Sequence, residues 1–428
     1  MESAPICHID RIPNEILRLI LSFVAGDVTE PENEITLTSP SGTESYFQCI
    51  LVARWVSRRF RMIANELGFW HNDKFHIVDF LFLQDHRPCR QAQYISTLLG
   101  DDHLVACLNR KCSWTFSNLE SFYEIVARIP DLPRNTRTVV LEWFPEGIGF
   151  VIYRLATFTA VTELRIQFDL FNDENSPMVE LDLDALSESL PLLETLDLNN
   201  LQTYSGTLAE SANLHTFRVE LSFRGEAIFS PSLLPINSAQ RLKSLAIRMN
   251  DRYIHPITHE HFDPFVNLAD LRLPFVWSLG CDILTHGKFT LTSLSIYYVP
   301  DDDPLAENVL PIFSAQSVKF LRQLDFDTTR GLRPVHLAPE VADQLTSALL
   351  NLRSLEVLAW KVHCRTSWFK RWAPLRNLRS VTLARQFIKF DAEVDGLLPD
   401  TEGYLLQITT KTNRFSRRRV TLVATRTR

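Results

Sequence analysis

Apolar residues near the N-terminus follow a helical period. Apolar side chains cover nearly every side of a helical wheel drawn for residues 12–24. Its polar stripe contains only Asn14, Arg18 and Ser22. Pro13 suits the first turn of a helix, where no backbone N–H is needed. The pattern therefore predicts a helix that starts at Pro13 and is buried on several sides.

A second apolar pattern, with spacings of three and four, predicts another helix over residues 47–67. Residues 26–46, between the two, are rich in Thr, Ser, Glu and Pro, which indicates a flexible insertion. A unit of about 60 residues interrupted in this way has little material with which to cover its first helix. We expect an exposed apolar patch that contacts another protein. The alternative is a helix that forms the core of its own small domain.

Beyond residue 136, strand-like units of the form L-x-x-L-x-apolar recur at a mean step of about 27 residues, in the range of leucine-rich repeats. Their middle residues are Leu164, Leu196, Phe217, Leu245, Leu271, Leu294, Leu324, Leu358 and Val381. Helix-start signals at residues 263–264, 303–304 and 338–339 lie between them. The last precedes apolar residues at helical spacing over 341–352. Repeated strand-then-helix units predict a solenoid.

Two features of the repeats bear on their regularity and use. An Asn is usual three positions after the last strand leucine, and here it occurs only as Asn250, so we expect irregular repeats. Residues that alternate with the strand leucines should face outward in one row of mixed charge, suited to binding a protein. The alternative is an ordinary solvated face. The row comprises Asp197, Arg218, Arg248, Asp270, Arg272, Tyr297, Asp325, Asp327 and Lys361.

Composition narrows the class of protein. The 428 residues are 45% hydrophobic and 22% charged, which indicates a folded protein with more than one domain and no membrane span. A formal net charge of -7 does not favour nucleic acid as a partner. The seven cysteines are an odd number and are scattered, and no signal peptide is visible. Both features indicate reduced thiols in the cytoplasm or nucleus.

Catalytic and metal-binding motifs are not evident. His86, Cys89, His103, Cys107 and Cys112 cluster in the sequence, but no C-x2-C pair is present and free thiols are the simpler interpretation. The acidic clusters at 301–303 and at 182 and 184 could in principle hold a hard cation, but the first, directly before Pro304, is better explained as a helix start. Neither G-x-S-x-G nor a phosphate-binding glycine loop occurs. We therefore predict no catalytic residue, no metal and no cofactor.

The C-terminus is basic from residue 411 onward, with no acid after Glu402. This pattern predicts a solvated tail, or an edge strand that its charge protects from further pairing. A nuclear-import or anion-binding segment is the alternative.

The N-terminal segment resembles an F-box. The first F-box motif, L-P-x-E-[IL]-L-x-x-I-[FL]-S-[YF]-[LV], is similar to residues 12–24, and the second, [LV]-V-[CS]-[RK]-x-[WF], to residues 56–60. Trp70 matches the tryptophan near the end. The resemblance spans about 60 residues in the expected order. The sequence departs from the motifs at Ile12, where Leu is usual, at Ser57, where Cys is usual, and in the insertion.

The resemblance implies an organisation of four parts. These are an F-box over 8–70 with the insertion 26–46, a helical connector over 71–136, a leucine-rich-repeat-like domain over 137–410 and a basic tail over 411–428. The expected fold class is thus α+β, with an N-terminal helical F-box, a helical connector and an irregular α–β solenoid.

The resemblance also implies a function, that of the substrate-recognition subunit of an SCF-type cullin-RING ubiquitin ligase. The F-box would bind a Skp-family adaptor, and through it cullin, and the repeats would bind an unknown protein substrate. Residues expected to contact the adaptor or to form the packing of the F-box are Ile12, Pro13, Ile16, Leu17, Ile20, Val24, Val56, Phe60 and Trp70. Residues expected to bind substrate are Arg218, Arg248, Arg272, Tyr297, Asp325 and Lys361. The alternatives are an adaptor-binding scaffold without a ligase, or an enzyme with an unrecognised site.

Overall fold

The structure is a computed structural model, and the chain forms two compact units, Met1–Leu164 and Arg165–Arg428. The described residues are 13–17, 60, 62–63, 105, 108–109, 112–116, 119–129, 131–142, 148–168, 179–222, 229–248, 258–275, 277–298, 310–327, 339–361, 372, 374–386, 404–412 and 418–426.

A helix begins at the predicted place in the first unit. Residues 14–17 are helical, and the Leu17 N–H donates to the Pro13 carbonyl at 3.0 Å. Phe60, Met62 and Ile63 are also helical, as the second apolar pattern predicts. Ile12, Ile20, Val24, Val56 and Trp70 lie outside the described residues.

Strands and helices alternate in the rest of the first unit. Its elements are β1 (Ser113–Phe116), α1 (Leu119–Arg128), α2 (Leu132–Asn135), β2 (Thr138–Glu142) and α3 (Ile148–Leu155). Strand β1 pairs in parallel with β2. Helix α1 buries Phe122, Ile125 and Val126, as the spacing predicts. Strand β1 is a departure from the mainly helical pattern expected over 71–136, because Ser-Trp-Thr-Phe contains no leucine to signal a repeat.

Strands make up most of the described secondary structure of the second unit. Strand β3 (Glu163–Gln167) contains the division between the units. The strands that follow are β4 (Glu180–Asp182), β5 (Thr195–Leu201), β6 (Thr203–Ser205), β7 (Thr216–Leu221), β8 (Ser244–Arg248), β9 (Asp270–Phe275), β10 (Ser293–Tyr298), β11 (Gln323–Asp327), β12 (Val357–Lys361), β13 (Ser380–Gln386), β14 (Tyr404–Thr412) and β15 (Arg418–Arg426). The helices are α4 (Leu183–Ser189), α5 (Trp277–His286) and α6 (Pro339–Ala348). Six 3-10 turns complete the described connections: Pro231–Leu233, Ile236–Ser238, His259–His261, Ile312–Ser314, Gln316–Val318 and Leu349–Asn351.

The second unit contains a large parallel sheet in the strand order β5-β7-β8-β9-β10-β11-β12-β13, and antiparallel β15 and β14 extend it. Strands β4 and β6 form a small sheet of their own. This architecture agrees with the predicted repeat fold, and few helices accompany the strands in the described part of the chain.

The middle residues of the predicted repeats lie in register across the sheet. From β5 to β13, each of them is the pairing partner of the next. All are buried to an exposure of 1% or less. Because successive side chains of a strand point to opposite faces, this row places the leucines on one face and the intervening polar residues on the other. The residues of this row are Leu196, Phe217, Leu245, Leu271, Leu294, Leu324, Leu358 and Val381.

Contacts between repeats occur just before each strand. The Lys243 carbonyl accepts from the N–H groups of Ala269 and Asp270, both at 2.9 Å, and the same two-donor pattern recurs along the sheet. Three side-chain amides located just before a strand donate to a carbonyl one repeat earlier: Asn213 to Pro191 at 2.7 Å, Asn267 to Gln240 at 2.8 Å and Asn377 to Arg353 at 2.9 Å. The amide of Asn200, near the C-terminal end of β5, likewise donates to the Phe168 carbonyl at 3.3 Å.

Amide bonds between repeats therefore exist. Three of them lie before the strands, whereas Asn200 makes one near the end of β5, closer to the place where they were expected. Each of the three asparagines directly precedes the first leucine of its repeat, and that Asn-Leu pair is the sequence signal for them. Asn250 lies outside the described residues.

The helix-start signals had mixed outcomes. Helix α6 begins at Pro339 as predicted. The prediction at residues 263–264 is wrong, because Asp263 and Pro264 form a turn and α5 begins only at Trp277, after β9. Residues 303–304 lie outside the described residues. Among the described helices, none has the length and apolar character needed to cross a bilayer.

The C-terminal segment is a hairpin. The predicted solvated tail is wrong for Arg418–Arg426, which form β15, whereas the predicted edge strand is found in β14, which includes Lys411 and lies at the end of the sheet. Strand β15 pairs with β13 on one side and with β14 on the other, and both pairings are antiparallel. The run Val420-Thr421-Leu422-Val423 within β15 is rich in β-branched residues, which favour strands.

A tyrosine compensates for a proline inside the sheet. The pairing of β8 with β9 ends at Ala246 and Arg272. By the two-residue period of the ladder, the Ile247 carbonyl faces Pro274, which has no N–H to donate. The Tyr297 hydroxyl on β10 reaches across and donates to that carbonyl at 2.5 Å. A residue predicted to bind substrate thus has a structural role.

We expect Tyr297→Phe to lower the free energy of unfolding by about 1–2 kcal/mol, because it leaves a partly buried carbonyl without a donor. Tyr153→Phe, which removes the hydroxyl of an 80% exposed tyrosine, is the control and should change it by less than about 0.5 kcal/mol. Denaturant unfolding of the full chain measures both. Equal effects of the two variants would contradict the role of Tyr297.

Candidate functional site

The face opposite the buried leucines presents the predicted recognition residues in three register rows, where one row was expected. The first row is Asp197, Arg218, Ala246, Arg272, Ser295, Asp325 and Ala359. A neighbouring row contains Pro274, Tyr297, Asp327 and Lys361. On β7 and β8, Glu220 and Arg248 are paired two residues after Arg218 and Ala246. Asp270 belongs to a third row with Ser244 and Ser293.

Small residues separate the charged side chains of the first row. Ala246 lies between Arg218 and Arg272, and Ser295 lies between Arg272 and Asp325. With neighbouring strands about 4.8 Å apart, the two arginines are anchored about 10 Å from each other. This spacing leaves room between them for side chains of a bound protein.

Two ion pairs lie on this face. Arg218 is 3.9 Å from Asp197, and Arg248 is 3.4 Å from Glu220, measured between nitrogen and oxygen. The Asp197 side chain is only 13% exposed, whereas both arginines are about half exposed. Burial raises the pKa of Asp197, although Arg218 and Arg165 act in the opposite direction. The charged form of Asp197 is therefore stabilised more by its arginine than that of Glu220 is.

The six predicted substrate-binding residues thus differ in accessibility. Arg218 and Arg248 are exposed, and Arg272 and Asp325 are half-buried. Tyr297 is committed to the Ile247 carbonyl. Lys361 lies beside Asp327 in the register of β11 and β12.

The described part of the predicted adaptor-binding segment has one buried and one exposed side. Leu17 is 1% exposed and Ile63 2%, so both belong to the interior. Ile16 is 48% exposed and Met62 42%, although both are large apolar residues. Pro13 is exposed and Phe60 is half-buried. Of the candidates in this segment, Ile16 is therefore better placed than Leu17 to contact another protein.

A cluster that the sequence analysis did not single out lies in the second unit. His259 opens the 3-10 turn before β9, and Asp282 and His286 are one turn apart on α5. The His259 Nδ1 is 3.1 and 3.0 Å from the two Asp282 carboxylate oxygens. The His286 Nδ1 is 3.1 Å from Asp282 Oδ1. The fold therefore brings together three residues that can bind a metal ion, with one ligand atom from each within 4.8 Å of the others.

The carboxylate of Asp282 is held in place by the backbone. The His259 N–H donates to Asp282 Oδ2 at 2.8 Å. Partial burial acts to raise the pKa of Asp282, but this hydrogen bond and the His259 side chain outweigh it and the pKa is lowered. The i,i+4 pair Asp282 and His286 was visible in the sequence as D-x-x-x-H. His259 is 23 residues from Asp282, and only the fold brings it to the pair.

The cysteine and histidine residues considered in the sequence for zinc are not part of this cluster. Cys112 is an exposed free thiol. His86, Cys89, His103 and Cys107 lie outside the described residues. Among the described residues, the only acidic side chain in the metal-ligand cluster is Asp282.

Comparisons with known proteins add little to this picture. No protein-family model matches the chain, and no curated protein matches it. A solved structure of a Bacteroides fragilis protein, a structural-genomics target, aligns with 69% of this chain and 82% of its own at 14% identity and a TM-score of 0.39.

The two surface ion pairs predict different responses to loss of their arginine. We expect Arg218→Ala to lower the free energy of unfolding by about 1–3 kcal/mol, because it leaves the largely buried Asp197 carboxylate without that partner. Arg248→Ala should lower it by less than about 1 kcal/mol, because its partner Glu220 is 35% exposed and can be solvated without the arginine. Denaturant unfolding of the two variants compares them. A larger effect for Arg248→Ala would contradict this ranking.

Proposed function

We propose that this protein is the substrate-recognition subunit of an SCF-type cullin-RING ubiquitin ligase. In this proposal the N-terminal helical segment binds a Skp-family adaptor, and the polar face of the sheet binds the protein to be ubiquitylated. The observation that carries the proposal is the exposure of Ile16 directly beside the buried Leu17, in the segment whose motifs resemble an F-box.

The exposure of Ile16 supports a docking role on physical grounds. Burial of apolar surface stabilises a complex by roughly 25 cal/mol per Å2 before the costs of association, so an exposed isoleucine next to other apolar residues favours a protein contact. Met62, from the second helical segment, adds a further exposed apolar side chain in the same unit. The F-box resemblance identifies the partner as the adaptor.

The polar face of the sheet supports the second half of the proposal. Paired parallel strands hold their side chains in fixed rows, and such rows suit recognition of a protein by complementary charge. Arg218 and Arg248 are the exposed charges available for this purpose. A substrate segment with acidic groups spaced to meet them is the expected ligand.

The proposed receptor performs no covalent step. It would hold substrate lysines close to a charged conjugating enzyme and so raise their effective concentration. The adaptor supplies the link to cullin, and the rate of transfer then depends on geometry in the assembly.

We expect Ile16→Glu to reduce capture of the adaptor by the full chain at least about tenfold, because it places a charge where apolar contact is needed. The experiment co-expresses adaptor and cullin with wild type or variant and quantifies both after affinity capture. Tyr153→Glu changes another exposed residue of the first unit and is the matched control, which should capture both partners normally. Leu17→Asp is unsuitable, because Leu17 is buried and the change would disturb folding.

Undiminished adaptor capture by Ile16→Glu, with a melting temperature equal to that of wild type, would overturn the assigned docking surface. Capture of adaptor without cullin by the wild type would favour the scaffold function over the ligase.

A further inference from the structure

We propose that His259, Asp282 and His286 form a binding site for a divalent transition-metal ion of the zinc class. This site belongs to the second unit and is independent of the proposed adaptor contact. It fastens the 3-10 turn before β9 to helix α5, which follows β9.

The distances between the ligand atoms of His259, Asp282 and His286 are close to those of a zinc site. Zinc binds imidazole nitrogen and carboxylate oxygen at about 2.0–2.2 Å, so neighbouring ligand atoms of a tetrahedral site lie about 3.3 Å apart. The nitrogen-to-oxygen distances here are 3.0 to 3.1 Å for both histidines. The widest separation among the three ligand atoms is no more than 4.8 Å. Binding of zinc would therefore lengthen the nitrogen-to-oxygen distances by about 0.2–0.3 Å and bring the most widely separated ligand atoms closer together.

The local structure orients two of the three ligands before any ion is bound. Asp282 and His286 are four residues apart on α5 and therefore project from the same side of the helix. The His259 N–H fixes Asp282 Oδ2 at 2.8 Å, in the way that hydrogen bonds around metal sites orient carboxylate ligands. The two imidazole rings lie with their centroids 5.0 Å apart, close enough to share an ion.

The ligand set and its exposure select the class of ion. Two imidazoles and one carboxylate suit zinc, cobalt, nickel or copper better than calcium or magnesium, which prefer oxygen ligands alone. The side chains of His259 and Asp282 are about one-third exposed and that of His286 is 59% exposed. Water can therefore complete the coordination of a bound ion.

The test uses the full chain, stripped of metal with a chelator and titrated with zinc alone. Wild type is expected to bind one more zinc equivalent than His286→Ala or Asp282→Asn, or to bind it at least about tenfold more tightly. Because the chain has 12 histidines and seven cysteines, the two cluster variants measure background binding. His215→Ala removes a partly exposed histidine outside the cluster and is the matched control, which should bind zinc like wild type. Titration calorimetry and equilibrium dialysis measure the difference.

A second readout separates metal binding from a structural role of the residues. Zinc should raise the melting temperature of wild type and of His215→Ala, and it should leave that of His286→Ala and Asp282→Asn unchanged. Asp282→Asn keeps an oxygen that accepts from the His259 N–H, so its metal-free form should fold like wild type. Equal zinc binding and equal zinc-dependent stabilisation in wild type and both cluster variants would overturn the proposal.

Discussion

The alternation of side chains along paired parallel strands is the constraint on which the described structure depends. It buries a row that runs from Leu196 to Val381 on one face and leaves the intervening residues on the other. A slip of one residue in register would expose the leucines and bury the charges, so the hydrophobic row also fixes where Arg218, Arg272 and Asp325 lie. The candidate recognition face is therefore a direct consequence of core packing.

The sequence predicted the fold well where one hydrophobic pattern recurred. It predicted the fold less well where a structural feature depends on a single residue. Every middle leucine from β5 to β13 lies at its predicted place, because the L-x-x-L-x-apolar unit is read directly from the chain. The strand β1 and the C-terminal hairpin were missed, since Trp-Thr-Phe carries no leucine and the charges of the C-terminus obscured its β-branched run. The role of Tyr297 depends on Pro274, a neighbour 23 residues away that no local pattern joins to it.

The candidate sites also differ in how far the sequence predicted them. The periodicity of apolar residues predicted the helical segment that contains Ile16 and Leu17. Only the structure shows that Ile16 is exposed and Leu17 is buried. The cluster of His259, Asp282 and His286 was missed because one ligand precedes β9 and two follow it. In the proposed function, the first unit binds the adaptor and the second unit binds substrate. The proposed metal site would then have a separate role, because it would stabilise the elements on either side of strand β9.

Hydrogen–deuterium exchange on the full chain, with and without the Skp-family adaptor, tests the central claim most directly. The account predicts that the adaptor slows exchange of the backbone amides in residues 12–24 and leaves those of strands β5 to β13 unchanged. Slower exchange confined to the strands of the sheet, or no change anywhere, would contradict an adaptor contact through the N-terminal helix.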